Sequence, residues 1–158
     1  MAKTSSPSAN IALESLAGHH IRRLQQIAVA IFLQENQSHG LTPVQYAALQ
    51  AVRNKPGMDQ RSLARTIGFD TSTIAGVVDR LEARGLMRRN ASQTDRRVRL
   101  LDVTAEGVAL LDVALPAVLR TQERILEPLA PKERAEFLRI LRQLVQSNNE
   151  LSRAPSGN

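Results

Sequence analysis

Residues 58–85 read MDQRSLARTIGFDTSTIAGVVDRLEARG, and the stop signals inside this stretch leave the chain little freedom. Leu63, Ala64 and Ile67 at helical spacing predict a short helix. Gly68 ends it, because a residue without Cβ enters the left-handed conformation most easily. Asp70 or Thr71 then caps a second helix running to Gly85. Two short helices separated by a few residues around a glycine form the helix-turn-helix pattern. In the second helix, Ile74, Val77, Val78 and Leu81 cluster on one side at about 100° per residue. Ser72, Gly76, Asp79 and Ala83 then lie opposite, flanked by Thr73, Ala75 and Arg80.

The rest of the chain is mainly helical. Leu13, Leu16, Ile21, Leu24, Ile27 and Ile31, with Ala17 and Ala28, predict one long amphipathic helix ending near His39 and Gly40. LTPVQYAALQAV starts another, with Thr42 as cap, Pro43 at the first helical position and Val44, Ala48 and Val52 facing inward; NKPG at 54–57 turns the chain. LMRRN and VRLLDV, on either side of the polar ASQTDR, predict a two-stranded hairpin. Thr104 restarts helix, with Val108, Leu111, Leu115, Val118, Ile125 and Leu129 on one stripe, and Pro116 inside it predicts a kink or a break. A last helix from Pro131 is expected to bury Phe137, Leu138, Leu141, Leu144 and Val145.

Charge gives these elements a direction. Between Arg53 and Arg99 stand eleven basic residues and five acidic ones, an excess of 6, which equals the net +6 of the chain; everything outside that window is neutral. An excess confined to the helix-turn-helix and hairpin is the footprint expected for a polyanion. Nucleic acid fits better than a membrane surface, since the cations do not line one amphipathic helix. The sequence contains no cysteine, which excludes disulfides and thiolate metal sites. His19, His20 and His39 lack the spacing of a helical metal pair, and no phosphate-binding loop, nucleophile elbow or dinucleotide fingerprint is present. We therefore expect no catalytic residue, no metal and no cofactor. MAKTSSPSAN at the start has no apolar run, so neither a secretory signal nor a membrane span is expected, and the address is cytoplasmic by default.

For DNA, small residues near the start of the second short helix let it approach base edges in a major groove. There Thr71, Ser72 and Thr73 can donate or accept, Ala75 can touch a thymine methyl and Gly76 allows close approach. Arg80 can reach a guanine or a phosphate. Arg96 and Arg97 at the hairpin tip can enter a minor groove or neutralise phosphate while Leu100, Leu101 and Val103 pack inward, although a plain solvated hairpin would carry the same residues. Asp79 is awkward beside phosphates and must either accept from a cytosine or pair with an arginine.

Asp95-Arg96-Arg97 followed by Val103-Thr104 resembles the wing signature of the MarR family of bacterial transcription regulators, the more so behind VVDRLEARGLMRR. The resemblance extends to LTPVQYAALQAV and LAPKERAEFLRILRQL and spans nearly all of residues 13–151. It implies a homodimeric winged helix-turn-helix protein, mainly α with a small β-hairpin wing, whose N- and C-terminal helices form the dimerisation region. Accordingly, residues 1–10 are read as a tail, 11–40 as a dimerisation helix, 41–104 as the DNA-binding lobe, 105–151 as dimerisation helices and 152–158 as a tail. The family pattern puts the helix from Thr71 in the major groove and Arg97 in the minor groove, with Asp95 holding the wing arginine. Gly76 departs from it, since many relatives carry a basic residue there. A twofold dimer would read a pseudo-palindromic double-stranded operator. The chief alternative is a nonspecific architectural DNA-binding protein, which would show salt dependence without site preference.

The resemblance also implies a repressor released by a small aromatic acid, and GHHIRR at 18–23 is similar to repressors of nicotinate or related ring degradation. The candidate effector residues are His20, on the apolar stripe with Leu16 and Leu24, together with His19, Arg23 and Tyr46. An imidazole or guanidinium beside an apolar wall suits an aromatic carboxylate. His20 fits a satisfied histidine at a dimer interface equally well.

Overall fold

The computed structural model describes residues 10–95 and 97–152. The tails read at 1–10 and 152–158 fall outside it apart from Asn10 and Ser152, as does Arg96. Six helices and three strands follow in the order α1 (Ala17–Glu35), α2 (Pro43–Asn54), β1 (Met58–Asp59), α3 (Gln60–Ile67), α4 (Thr71–Ala83), β2 (Met87–Ala91), β3 (Arg99–Val103), α5 (Ala105–Leu126) and α6 (Pro131–Ser147).

Local chemistry accounts for the boundaries. Thr42 and Gln45 close a reciprocal capping box on α2, with Pro43 in the first turn. Asp59 and Asp70 cap α3 and α4 through the backbone N–H groups of Ser62 and Thr73. Gly68 ends α3 in the left-handed region at φ 70°. α2, α3 and α4 pack with the sheet around a dry centre of Leu49, Leu63, Ile74, Val78, Leu81 and Leu101, each fully buried.

Several sequence expectations need correction. The hairpin is part of a three-stranded antiparallel sheet in the order β1-β3-β2, with Met58 opposite Leu101 and Met87 opposite Val103. The first helix is interrupted at both ends: Leu13–Ser15 and Gln37–His39 are 3₁₀ turns, and the α-helix proper spans Ala17–Glu35. α5 runs unbroken through Pro116. The carbonyl of Asp112, deprived of a helical donor by the proline, belongs to an exposed residue that water can reach. The break expected at Pro116 does not occur, and the buried face of α5 is built from both sides of it, by Gly107, Leu111, Ala114, Ala117, Val118 and Thr121, while Leu115 is exposed. α6 buries nothing within its own chain: Phe137 and Leu141 are half-buried, and Leu138, Leu144 and Val145 are exposed. Among the described residues, every exposed large apolar side chain except Phe69 lies outside residues 41–104.

Candidate nucleic-acid interface

β2 leans against one side of α4, and Arg89 determines which side. Its Nη2 donates to Asp79 Oδ1 at 2.6 Å, its Nη1 to Glu82 Oε2 at 2.7 Å, and its backbone N–H to Glu82 Oε1 at 3.2 Å. Nη2 also reaches Gln60 Oε1 at 3.3 Å, which ties α3 into the same network. Burial, the largest influence on the guanidinium, opposes its charge, but the hydrogen bonds to Asp79 and Glu82 prevail and raise its pKa. Asp79 is therefore paired with an arginine of β2. Its side of the helix, with half-buried Ala75, is turned toward the sheet.

What remains open on α4 is a strip containing Ser72, Thr73, Gly76 and Arg80, with Thr71 exposed at its start. Only Gly76 in this strip is half-buried, and a Cβ there would meet no more than the end of Arg80, 3.5 Å away. Ser72 Oγ and Thr73 Oγ1 donate to the two oxygens of Asp70, and together with the Thr73 N–H they hold its carboxyl well below the usual carboxylate range, Ser72 contributing most.

The wing is ordered by Asp95. Its carboxylate accepts from the Arg97 backbone N–H at 2.9 Å, and its carbonyl accepts from Val98 N–H at 3.0 Å. Arg97 is exposed at the turn and, with Arg61 and Arg99, lines a cleft of about 380 Å³ against the start of α3. Among the described residues, Arg61, Arg80, Arg88, Arg97 and Arg99 make no ion pair, whereas Arg53 is spent on Asp112 and Arg84 donates to the Gly40 carbonyl. Arg80 lies in the α4 strip and Arg61, Arg97 and Arg99 gather at the wing cleft, while Arg88, next to Arg89 on β2, points from the opposite face of the sheet. Sequence reasoning missed Arg89 and Arg61. The strand alternation that buries Met87 and exposes Arg88 carried the signal for Arg89.

The four effector candidates do not converge within one chain. His20 is exposed, not packed on an apolar stripe, and its Nε2 bonds the Glu14 carbonyl at 2.8 Å; its ring meets His19 edge-on. Tyr46 packs on Phe32 at 6.1 Å, twelve residues further along α1, which is roughly 18 Å of helix. A separate cavity of about 220 Å³ lies between α1, α5 and the start of α2, with Ala28, Val29, Phe32, Pro43 and Ile125 as walls and Gln25, Thr121 and Gln122 as polar groups. Among the described residues, no helix is long and apolar enough to cross a membrane, and no cluster of side chains could hold a metal.

Residues 41–98 match the MarR family. The transcriptional repressor NicR of Pseudomonas putida is 34% identical over 131 residues, which is 83% of each chain. Two solved structures superpose closely. The first, titled for regulation of DNA binding of Bordetella bronchiseptica BpsR by 6-hydroxynicotinic acid, is 30% identical with a TM-score of 0.81, covering 85% of this chain and 96% of that one. The second, the repressor CouR of Rhodococcus jostii bound to a 23-mer DNA duplex, is 32% identical with a TM-score of 0.80, covering 84% and 94%. Regulators of this family bind DNA as dimers. A winged helix-turn-helix with a basic wing, flanked by helices that leave their apolar faces uncovered, and relatives named as transcriptional regulators along most of its length, together make this chain a member of the MarR family: a transcriptional regulator and not an enzyme.

Proposed function

We propose that the chain is a homodimeric, cytoplasmic repressor that seats α4 in the major groove of each half of a pseudo-palindromic operator and is released by a small aromatic carboxylate. Thr71, Ser72, Thr73, Gly76 and Arg80 form the groove-facing end of α4, and Ala75, expected there from the sequence, lies at its edge against the sheet. Arg97, with Arg96 beside it, serves the minor groove or its phosphates, and Asp95 supports the wing. The observation that carries this is an open strip of small and polar residues on α4 that ends in Arg80, together with a wing cleft lined by Arg61, Arg97 and Arg99, none of which makes an ion pair among the described residues. Small residues admit base edges, and the unpaired cations of the strip and the wing supply the attraction to the backbone.

The effector part is supported by BpsR, a relative whose DNA binding is regulated by 6-hydroxynicotinic acid, and by the cavity between the helix pair and the DNA-binding lobe. Its volume, about 220 Å³, is below the roughly 300–1,000 Å³ usual for drug-sized ligands and suits a single ring. No cation lines it. His19, His20 and Arg23 precede Gln25, a wall residue of the cavity, by two to six residues on α1 without lining it within one chain, so a carboxylate held there would meet them at the cavity mouth or from the partner chain. The test is release of the chain from its own promoter DNA, under excess nonspecific competitor, across a panel of aromatic carboxylates including 6-hydroxynicotinic acid. One acid should release it, and Ala28→Leu, which fills the cavity away from the DNA face, should abolish that release and leave DNA binding intact. No release by any acid would reject the effector assignment.

A further inference from the structure

The open strip on α4 carries two hydroxyls whose protons are already committed. Asp70 Oδ1 accepts from Ser72 Oγ at 2.5 Å and from the Thr73 backbone N–H at 2.8 Å, and Oδ2 accepts from Thr73 Oγ1 at 2.6 Å. Hydrogen bonds to an ionised acceptor are about twice as strong as neutral ones. A carboxylate in this state only accepts, so neither hydroxyl can reverse its bond to it. Each hydroxyl has one proton and two lone pairs; with both protons turned to Asp70, Ser72 and Thr73 present lone pairs to their surroundings.

A serine or threonine without such a partner can rotate to donate or accept and reads bases poorly. Here that ambiguity is removed by a residue that itself caps the helix. Ser72 lies opposite the buried Ile74–Leu81 side, and Thr73 lies beside it toward Arg80, away from the side Arg89 occupies. Arg80 can only donate. The strip therefore has an accepting end at Ser72 and Thr73 and a donating end at Arg80.

We propose, resting on the placement of α4 in the major groove, that Ser72 and Thr73 read bases solely as hydrogen-bond acceptors and that Asp70, as a positioning residue, sets this polarity. The bases they face are adenine or cytosine, whose N6 and N4 amino groups are the donors of the major groove, while guanine N7 and O6 and thymine O4 are disfavoured.

Duplexes selected from a randomised library with the full chain provide the test. Positions whose preference relaxes in Ser72→Ala and Thr73→Val are the ones read by these hydroxyls. At those positions, replacing adenine by purine or cytosine by 2-pyrimidinone, each lacking the exocyclic amino group, should weaken binding about fivefold. Replacing adenine by 7-deazaadenine, which removes only an acceptor, should leave binding unchanged. Asp70→Asn keeps a capping oxygen but adds an amide donor, so a hydroxyl proton turns outward and guanine or thymine should enter the selected sites. The analogue measurements use the wild-type chain and stand even if that variant does not fold. Selection of guanine or thymine by the wild type, or sensitivity to 7-deazaadenine without sensitivity to purine, overturns the inference. Failure of the wild type to select any half-site rejects the placement of α4 in the groove instead, and is distinguishable because no position emerges to substitute.

Discussion

Asp79 and Glu82 lie on α4, the helix proposed to enter the major groove, and carboxylates left unpaired there would repel phosphate. Arg89 pairs with both, offsetting one of their two charges, and joins β2 to α4 in the same contact. Arg89→Ala should lower DNA affinity by about tenfold or more, since like charges facing each other are strongly unfavourable. Asp79→Asn and Glu82→Gln added to that variant should restore much of the loss in a gel-shift titration, which a purely structural role for Arg89 would not allow. Arg97 has no acid partner, and only its backbone is held by Asp95. Arg97→Ala should weaken binding and reduce the slope of log affinity against log salt by up to about one, the contribution of a single phosphate contact; an unchanged slope would remove the wing from the interface.

At the scale of elements, the approach of α5 to the sheet depends on Gly107. A Cβ there would lie 2.2 Å from the Leu86 carbonyl oxygen and 2.6 Å from Val103 Cγ1, so backbone must move. Gly107→Ala should therefore lower stability to urea by about 1–3 kcal/mol, in spite of the roughly 1 kcal/mol that alanine gains in helix propensity. α1 and α5 are joined at Glu35, where Arg124 foremost and then Arg120 hold the carboxyl below its ordinary range. A lowered folded-state pKa means stability that is present above the unfolded value, near 4.3, and lost as pH falls through the lower folded value. The stability difference between wild type and Glu35→Gln should thus be flat from pH 8 to about 5 and narrow below about 4.3. Much of this level was legible in sequence, because caps and stops are local: Thr42, Gly68 and Asp70 act within four residues of themselves. β1 was not, since two residues show no alternation, and it exists only because β3 lies alongside. Pro116 misled for the same reason, as its cost is offset by packing against α1 that no local pattern records. Helical periodicity marks out the exposed strip of α4 from the sequence, but the electrostatics beside it depend on Arg89, ten residues beyond Asp79 and visible only once β2 is folded back.

For the whole molecule, the uncovered apolar residues of the first helix, α5 and α6, including Ile21, Leu119, Leu144 and Val145, form faces too large to leave in water. Sedimentation should give twice the mass of one chain, and Leu144→Glu with Val145→Glu should shift it toward the monomer and weaken operator binding, because each half-site then loses its tethered neighbour. The cavity could not be read from the sequence, since its walls come from α1, the start of α2 and α5, which only the fold brings together. The most direct measurement is a gel-shift titration of the full chain on the DNA upstream of its own gene, with excess nonspecific duplex present. A dimeric regulator that reads bases through α4 should give one discrete complex that survives the competitor and is lost in Ser72→Ala combined with Arg80→Ala. A shift erased by competitor, or one indifferent to those two substitutions, would contradict base reading by this helix and leave a protein held to DNA by phosphate contacts alone.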